Sequence, residues 1–363
     1  MLLKNKLYRR LARHIEVLPT GKRTASKILN LWGKKDVIWD PWILKDGDIY
    51  RLFYLVGEEN SEIWWKCKTT IHSAISTDLK TWKDLGTALA PDPANSWESG
   101  RMLAGCAYKE GDVYYLFYSA AGNGDIESWY EGIGLATSTD GLHWQRYSTK
   151  ELIKPEDSNP WYCKQKYSLY EREEYDHFQW RDPYIVKDEK TGNYYMYICA
   201  YLKAGREGKF RGCIGLAVAS TITGPYKLLP PAATPIVEGT NESPFYEMER
   251  PQVIYKNGKY NLFFSTWSEG LNPKWTQKVG WENISRSSLY WYISDCIDGP
   301  FEPVSEKPIC IGSDRTGIYG TNFLSLSEDP EEFIAYGWYH RLMTLGISPV
   351  FKVKWSNDSI VIS

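Results

Sequence analysis

The stretch that decides the fold reads Asp-Gly-Asp-Ile-Tyr-Arg-Leu-Phe-Tyr, from Asp46 to Tyr54. It joins a polar turn that contains glycine to a run of β-branched and aromatic residues, which predicts a hairpin turn leading into a strand. Three further copies and a degraded fifth follow it along the chain. They span Glu110–Tyr118, Thr191–Tyr197, Asn257–Phe264 and Asp329–Tyr336.

A second element follows each of the first four copies, again strand-like and ending in a turn. Its copies are Ser73–Asp78 with Trp82, Leu135–Asp140 with Trp144, Leu216–Ser220 with Gly224-Pro225-Tyr226, and Trp291–Asp295 with Gly299-Pro300-Phe301. The repeat is about 65–80 residues long, enough for a four-stranded antiparallel sheet with its loops. Five such units predict an all-β fold, a five-bladed β-propeller that occupies residues 36–363 as one domain.

The composition favours a carbohydrate ligand and argues against nucleic acid. Aromatic residues make up 15% of the 363 residues, including 17 Trp and 27 Tyr, and aromatic rings stack well on the apolar faces of sugars. A net charge of −2 is not that of a general nucleic-acid binder. The expected partner is a small carbohydrate substrate, and the sequence makes no prediction about oligomeric state.

Residues 1–35 are predicted to form a basic helical extension, because apolar side chains recur at helical spacing between arginines. The apolar positions are Leu3, Leu7, Leu11, Ile15 and Leu18. Two interpretations stay open: a surface helix packed on the propeller, or a basic amphipathic helix in weak contact with an anionic membrane surface. The chain has no apolar run of 18 residues and no convincing secretory signal, so a cytoplasmic location is expected.

No cofactor and no metal are predicted. The seven cysteines are odd in number and form no C-x-x-C pair, so free thiols are expected rather than disulfides or a zinc site. His72, His143, His177 and His340 show no metal-ligand spacing. A structural calcium ion is not predicted.

Three acids recur at a similar point of the repeat, shortly before the turn glycine, where the first strand of a blade should run. They are Asp40, Asp182 and Glu249. First strands line the channel of a propeller, so the three carboxylates should meet at one end of it. Converging carboxylates repel one another and their pKa values separate, which suits the acid and nucleophile of glycoside hydrolysis. The alternative is three unrelated acids at strand starts, two of them paired with Arg181 and Arg250.

At these residues the chain resembles glycoside hydrolase family 68, the levansucrases, with families 32 and 43 as more distant relatives. The matching motifs are Trp39-Asp40, Arg181-Asp182-Pro183, Glu247-Met248-Glu249-Arg250-Pro251, Asp298–Pro303 and Ile318-Tyr319-Gly320. The resemblance spans roughly residues 36–340. One segment departs from it: Leu103–Ala107 stands where the family has a Trp-Ser-Gly-Ser-like segment, so that an aromatic wall and an orienting hydroxyl are missing there.

The resemblance implies a role for each matched residue. Asp40 would be the nucleophile that forms a glycosyl ester, Glu249 the general acid and then base, and Asp182 the residue that holds sugar hydroxyls and stabilises the transition state. The implied substrate-binding residues are Trp39, Arg181, Glu247, Arg250 and Tyr319. The expected activity is retaining cleavage or transfer of a furanosyl group, most simply from a fructofuranoside such as sucrose. An inverting family 43-like arabinofuranosidase or xylosidase and a non-catalytic carbohydrate-binding propeller are the alternatives.

Overall fold

The computed structural model describes most of the chain from Val37 onward. The described residues are 37–57, 67–122, 128–163, 165–167, 174–203, 208–284, 287–311, 318–326, 332–341, 344–357 and 359–363. The helix predicted for residues 1–35 lies outside them and stays a prediction.

Strands dominate the described residues. In chain order they are β1 (Val37–Asp46), β2 (Ile49–Gly57), β3 (Thr69–Ser76), β4 (Lys83–Leu89), β5 (Arg101–Glu110), β6 (Val113–Ala121), β7 (Ser128–Ser138), β8 (Gln145–Arg146), β9 (Gln165–Tyr167), β10 (Glu174–Phe178), β11 (Trp180–Lys187), β12 (Tyr194–Tyr201), β13 (Gly212–Ala219), β14 (Lys227–Ala233), β15 (Glu249–Lys256), β16 (Lys259–Trp267), β17 (Ser287–Ser294), β18 (Glu302–Pro303), β19 (Cys310–Ile311), β20 (Ile318–Ser325), β21 (Phe333–Arg341), β22 (Thr344–Ile347), β23 (Phe351–Trp355) and β24 (Ile360–Ile362). The helical elements are α1 (Pro273–Val279) and three single 3₁₀ turns at Ser96–Glu98, Ser268–Gly270 and Trp281–Asn283.

The strands form five sheets, which are the five predicted blades. Blade 1 is β1–β4, blade 2 is β5–β10, blade 3 is β11–β14, blade 4 is β15–β19 and blade 5 is β20–β24. The pairing is antiparallel apart from β10, which lies parallel to β7. The first strands β1, β5, β11, β15 and β20 contact one another in turn, and β22 packs on β1 to close the ring. The prediction of a five-bladed β-propeller is confirmed.

The repeated turn sequence connects the first two strands of a blade. In blade 1, Asp46 pairs with Ile49 across a two-residue turn that begins at Gly47. Gly47 has φ of +60°, a conformation that glycine adopts without the steric cost of a Cβ atom. The aromatic run that follows the turn enters the core: Phe53 and Tyr54 are each 1% exposed. The same residues therefore make the hairpin and fill the space between neighbouring blades.

Two matching polar latches join neighbouring blades at the turn end of the first strands. Asp46 of blade 1 lies 2.6 Å from Lys109 Nζ of blade 2 and accepts a hydrogen bond from the Tyr114 hydroxyl. Glu110 of blade 2 lies 2.6 Å from Lys187 Nζ of blade 3 in the same way. Each lysine is bonded by an acid from the preceding blade, so each contact joins one blade to the next.

A β-bulge interrupts each first strand near its beginning. The register shifts lie at Trp39/Trp42, Leu103/Gly105, Arg181/Tyr184, Glu249/Gln252 and Tyr319/Asn322. Four of the bulges contain a residue at positive φ: Asp40 at 45°, Asp182 at 57°, Arg250 at 56° and Gly320 at 56°. Bulges re-aim side chains and concentrate beside functional sites, and positive φ is strained for residues other than glycine. Asp40, Asp182 and Arg250 therefore carry backbone strain, and all three lie at the same end of the central channel.

Two further expectations concern cysteine and membranes. The six cysteines whose side chains are described, among them Cys106 and Cys199, are free thiols. Across the described residues, the helices are too short and too polar to cross a bilayer.

Candidate active site

The bulges bring residues of different blades together, with an offset between the acids that the prolines of the sequence mark: Asp40, Asp182 and Arg250 each precede a proline. Asp40, Asp182 and Arg250 share the positive-φ position, whereas Glu249 stands one residue earlier. Glu249 is therefore the counterpart of Arg181 and Tyr319, not of the two aspartates. The acids meet at one end of the channel as expected, but they approach it from two different positions of the bulge.

Arg181 is the centre of the site, because its guanidinium binds three glutamates. Its Nη1 lies 3.0 Å and 3.2 Å from the two carboxyl oxygens of Glu131. Its Nη2 lies 2.7 Å from Glu247 Oε2 and 2.7 Å from Glu249 Oε1. Glu247 Oε2 also accepts a hydrogen bond of 2.7 Å from the Gln179 amide. Burial lowers the pKa of Arg181, but the carboxylates around it, Glu131 above all, raise that pKa well above its ordinary value and keep the group charged.

Asp182 is buried between two cationic side chains. Its Oδ2 accepts a hydrogen bond of 2.9 Å from the Arg250 backbone N–H and lies 3.9 Å from Arg181 Nε. Its own backbone N–H donates to Ser119 Oγ at 2.8 Å. Burial raises the pKa of Asp182, while Arg181 and Arg250 oppose that shift. Asp182 is therefore held by the Arg250 backbone of blade 4 and by the Ser119 side chain of blade 2.

Asp40 is half-buried at the bulge of blade 1, and its Oδ1 atom is fully buried. Burial raises the pKa of Asp40 to about 6; Arg250 opposes this shift and Asp182 adds to it. The Trp338 indole N–H also lowers that pKa by hydrogen bonding. Gly320 leaves the space for this contact, since a Cβ atom there would lie 3.1 Å from Trp338 Nε1 and 3.3 Å from Asp40 Oδ1.

The surroundings of Glu249 differ from those of Asp40. Burial raises its pKa well above the ordinary value, and the neighbouring charge of Glu247 raises it further, although Arg181 opposes both. The Tyr319 hydroxyl donates a hydrogen bond to Glu249 Oε2. Both carboxyl groups therefore have raised pKa values, but the neighbours that add to burial differ: Glu247 for Glu249 and Asp182 for Asp40.

The remaining predicted residues lie at the same end of the channel. Trp39 is buried in the same hydrophobic cluster as Tyr319 and Trp338. Arg250 extends across the channel, where its guanidinium donates to the backbone oxygens of Pro41 at 2.9 Å and Gly105 at 3.3 Å. Arg250 thereby ties blade 4 to blades 1 and 2 beneath the acids.

Sequence reasoning missed several residues of this site. Glu131, on the third strand of blade 2, is 2% exposed and binds both Arg181 and the Trp180 backbone N–H. Ser119 and Trp338 lie on second strands, where they contact Asp182 and Asp40. None of the three belongs to a recognisable motif. The signal that could have found Glu131 is the presence of an acid inside an otherwise apolar strand, at Glu131-Gly-Ile-Gly-Leu.

Among the described residues there is no group of three His, Cys, Asp or Glu side chains placed to hold a metal ion. The glutamates that crowd this site are bridged by the Arg181 guanidinium instead. The side chain of His340 lies outside the described residues.

A protein-family model matches the part of the chain that holds some residues of this site, whereas Glu249 and Tyr319 lie beyond the match. Residues 40–210 match the model described as "Glycosyl hydrolases family 32 N-terminal domain". That range contains Asp40, Glu131, Arg181 and Asp182.

The relatives and solved structures agree with this match. The chain is 25% identical over 216 residues to the levansucrase of Rahnella aquatilis, an alignment that covers 56% of this chain and 48% of that protein. It is 24% identical over 338 residues to the extracellular sucrase of Zymomonas mobilis, covering 76% of this chain and 70% of that protein. The crystal structure of Bacillus subtilis levansucrase superposes with a TM-score of 0.69 at 16% identity, over 94% of this chain and 88% of that one. The chain thus spans about half the length of the Rahnella aquatilis relative and has the propeller fold of levansucrase. Its similarity to the family 32 N-terminal domain covers blades 1 and 2 and the first two strands of blade 3.

Proposed function

We propose that the chain is a glycoside hydrolase or transglycosidase of the levansucrase type, family 68, that cleaves a fructosyl bond with retention of configuration. The observation that carries this proposal is that two carboxyl groups at one end of the channel have different surroundings, which suit them to different roles. The pKa of Asp40 is about 6, whereas that of Glu249 is raised well above its ordinary value. One group can attack as a carboxylate while the other donates a proton, as glycoside cleavage requires.

The proposed reaction has two steps. In the first, Glu249 gives its proton to the glycosidic oxygen, the anomeric C–O bond breaks with its electron pair on that oxygen, and the Asp40 carboxylate forms an ester with the anomeric carbon. In the second, Glu249 takes a proton from water or from a sugar hydroxyl, which attacks the anomeric carbon and releases Asp40. Water as the acceptor gives hydrolysis, and a sugar hydroxyl gives transfer.

The neighbours support these roles electrostatically. Asp182, held by Ser119 and by the Arg250 backbone, presents a fixed charge beside the anomeric carbon, where positive charge develops in the transition state. Arg181 keeps Glu249 in place through Oε1 while Glu131 and Glu247 balance the guanidinium charge. Pre-arranged groups of this kind cost no reorganisation during the reaction.

Sucrose is the first substrate to test, because the similar proteins named above are a levansucrase and a sucrase. The experiment is product analysis after incubation with sucrose, raffinose and a set of aryl furanosides and pyranosides. We expect fructose release or fructosyl transfer, with loss of at least about 1,000-fold in kcat for Asp40→Asn and Glu249→Gln. The exposed acids Asp48 and Glu189 provide matched controls, and Asp48→Asn and Glu189→Gln should keep parental activity.

The same experiment separates the proposal from its rivals. With methanol as acceptor, a retaining enzyme gives the methyl furanoside of unchanged anomeric configuration, which NMR distinguishes. Inversion, or turnover of arabinosides or xylosides alone, would replace the proposal by a family 43-like activity. Binding of sugars without turnover of any substrate would make the chain a carbohydrate-binding propeller. Activity within tenfold of the parent in both Asp40→Asn and Glu249→Gln would remove the two residues from the mechanism.

A further inference from the structure

Arg250 occupies in blade 4 the bulge position that Asp40 occupies in blade 1. Both residues have positive φ, 56° for Arg250 and 45° for Asp40. Arg250 is only 5% exposed, and an arginine is almost never buried to that degree unless it is paired. The groups that bind this buried cation therefore indicate what it does.

The guanidinium of Arg250 binds the main chain of two other blades. Its Nη2 donates at 2.9 Å to the oxygen of Pro41, the residue that directly follows Asp40, and its Nη1 donates at 3.3 Å to the oxygen of Gly105. The guanidinium also lies over the Trp42 ring, 5.7 Å from the ring centroid. Because these contacts and burial cover the group, little of it remains for a sugar hydroxyl.

The bond to the Pro41 oxygen acts on Asp40 through the backbone. Asp40 and Pro41 stand at the register shift between Trp39 and Trp42, where the pairing of β1 with β2 is interrupted. A residue at positive φ keeps its conformation only where its surroundings over-determine it. Arg250 supplies a fixed point on the residue next to Asp40, at the place where the strand pairing is irregular.

Arg250 also acts on both aspartates of the site through its charge. Its backbone N–H donates to Asp182 Oδ2 at 2.9 Å. Burial has the largest effect on the pKa of Asp40 and raises it, and Arg250 is the main group that opposes this rise. The other charged groups that face Asp40 have smaller effects: Asp182 raises its pKa and Arg181 lowers it.

Two further titratable groups near Arg250 are uncharged. Burial raises the pKa of the Cys106 thiol to about 12, and it also raises the pKa of the Tyr336 phenol. Both groups therefore stay neutral in the range in which a carboxylate nucleophile works, so the charge of Arg250 acts on the aspartates.

We infer that Arg250 is a positioning residue for the nucleophile, which acts through the Pro41 peptide and through its charge and does not itself bind the sugar. The inference rests on the proposed function and deepens it, since the resemblance implies substrate binding for Arg250. The two roles differ in what they do to the kinetics. Loss of a positioning residue lowers kcat, whereas loss of a group that only binds the substrate raises KM and leaves kcat unchanged.

The test compares Arg250→Lys and Arg250→Met with the parent in kcat, in KM for sucrose and in the pH profile of kcat/KM. Lysine keeps the charge but presents it at a single nitrogen without the guanidinium fork, so kcat should fall at least about tenfold while KM and the acid limb change little. Methionine removes the charge as well. The pKa of Asp40 should then rise, and because Asp40 must be ionised to attack, the acid limb should move to higher pH by about 1 unit.

A matched control is Arg146→Met, because Arg146 also binds a buried acid and a backbone oxygen. Its Nε donates to Glu98 at 2.9 Å and its Nη2 donates to the oxygen of Ala90. It lies on β8, which β6 and β7 separate from the channel strand β5. Arg146→Met should lower Tm but keep the kcat and the acid limb of the parent. Thermal melts on all the variants establish that they are folded.

Three outcomes would count against the inference. A rise in KM with kcat and the acid limb unmoved would make Arg250 a substrate-binding residue, while the proposed function stood. Failure of both Arg250 variants to fold, with Arg146→Met folded, would make Arg250 a purely structural residue and would also overturn the inference alone. A parent chain that turns over no fructoside would overturn the proposed function and the inference together.

Discussion

Arg181 Nη2 lies 2.7 Å from Glu249 Oε1, yet the pKa of Glu249 is raised rather than lowered. A guanidinium at that distance favours the ionised carboxylate, but burial of Glu249 acts against it and is the larger effect. The same nitrogen also lies 2.7 Å from Glu247 Oε2, so two carboxyl groups share one cation. Arg181 thus positions the acid without bringing the pKa of Glu249 down to its ordinary value.

The first prediction is a bell-shaped pH profile of kcat/KM. Activity should fall below about pH 6 as Asp40 takes up a proton and ceases to be a nucleophile, because its pKa is raised to about 6. It should also fall on the alkaline side as Glu249 loses the proton that it must donate. The measurement is initial rate on sucrose across pH 4–9 at constant ionic strength. A profile that stays flat between pH 4 and 9 would contradict both assignments.

The second prediction concerns the neighbour that raises the pKa of Glu249. Glu247→Gln removes a negative charge but keeps an oxygen that can accept from Arg181 and Gln179. The pKa of Glu249 should therefore fall, and the alkaline limb of the pH profile should move to lower pH while the acid limb moves little. Full pH profiles of the variant and the parent make the comparison. A change in kcat with both limbs unmoved would show that Glu247 acts only on substrate.

The third prediction separates two roles for Asp182. Asp182→Asn keeps an oxygen for the Arg250 backbone N–H and so should fold normally, but it removes the charge that stabilises the transition state. We expect kcat to fall at least about 100-fold with Tm within a few degrees of the parent. Activity assays and thermal melts on one preparation give both numbers. Lost stability with residual activity would instead make Asp182 a structural ion-pair partner of Arg181.

The fourth prediction uses two glycines with the same backbone conformation. Gly320 has φ of +56° and Gly47 has φ of +60°, but an added Cβ atom would crowd Asp40 and Trp338 only at Gly320. Each Gly→Ala change should cost about 1 kcal/mol of unfolding free energy through backbone strain. Gly320→Ala should in addition lower kcat at least about tenfold by displacing the nucleophile. Denaturant melts and rates on both variants decide whether activity and stability separate in this way.

The repeats allowed most of the fold to be predicted. Turn glycines such as Gly47 and Gly258 sit between residues that pair in the structure, because a two-residue turn with φ above zero leaves few other geometries. The convergence of Asp40, Asp182 and Glu249 followed from the same repeat, since all three lie on first strands.

The fine geometry of the site could not be predicted, for two physical reasons. A bulge adds a residue to one strand, so residues at the same distance from a turn do not share an orientation. Distance from the turn glycine therefore groups Glu249 with Asp182, whereas the proline that follows Arg250 aligns Glu249 with Arg181, as the structure does. Glu131 reaches Arg181 from a third strand of another blade, a contact set by packing between sheets rather than by any local pattern.

The closure of β22 on β1 has a consequence for how the chain can be cut and rejoined. Asp40, Glu131, Arg181, Glu249 and Tyr319 come from five different blades, so the chemistry exists only when the ring is complete. The hairpin turns at Gly47 and Gly111 lie at the far ends of first strands, away from these side chains. Circular permutation at those turns should therefore preserve turnover. Two fragments split at either turn should be inactive when separate and regain activity when mixed. Catalytic activity would then report directly on whether the blades have assembled.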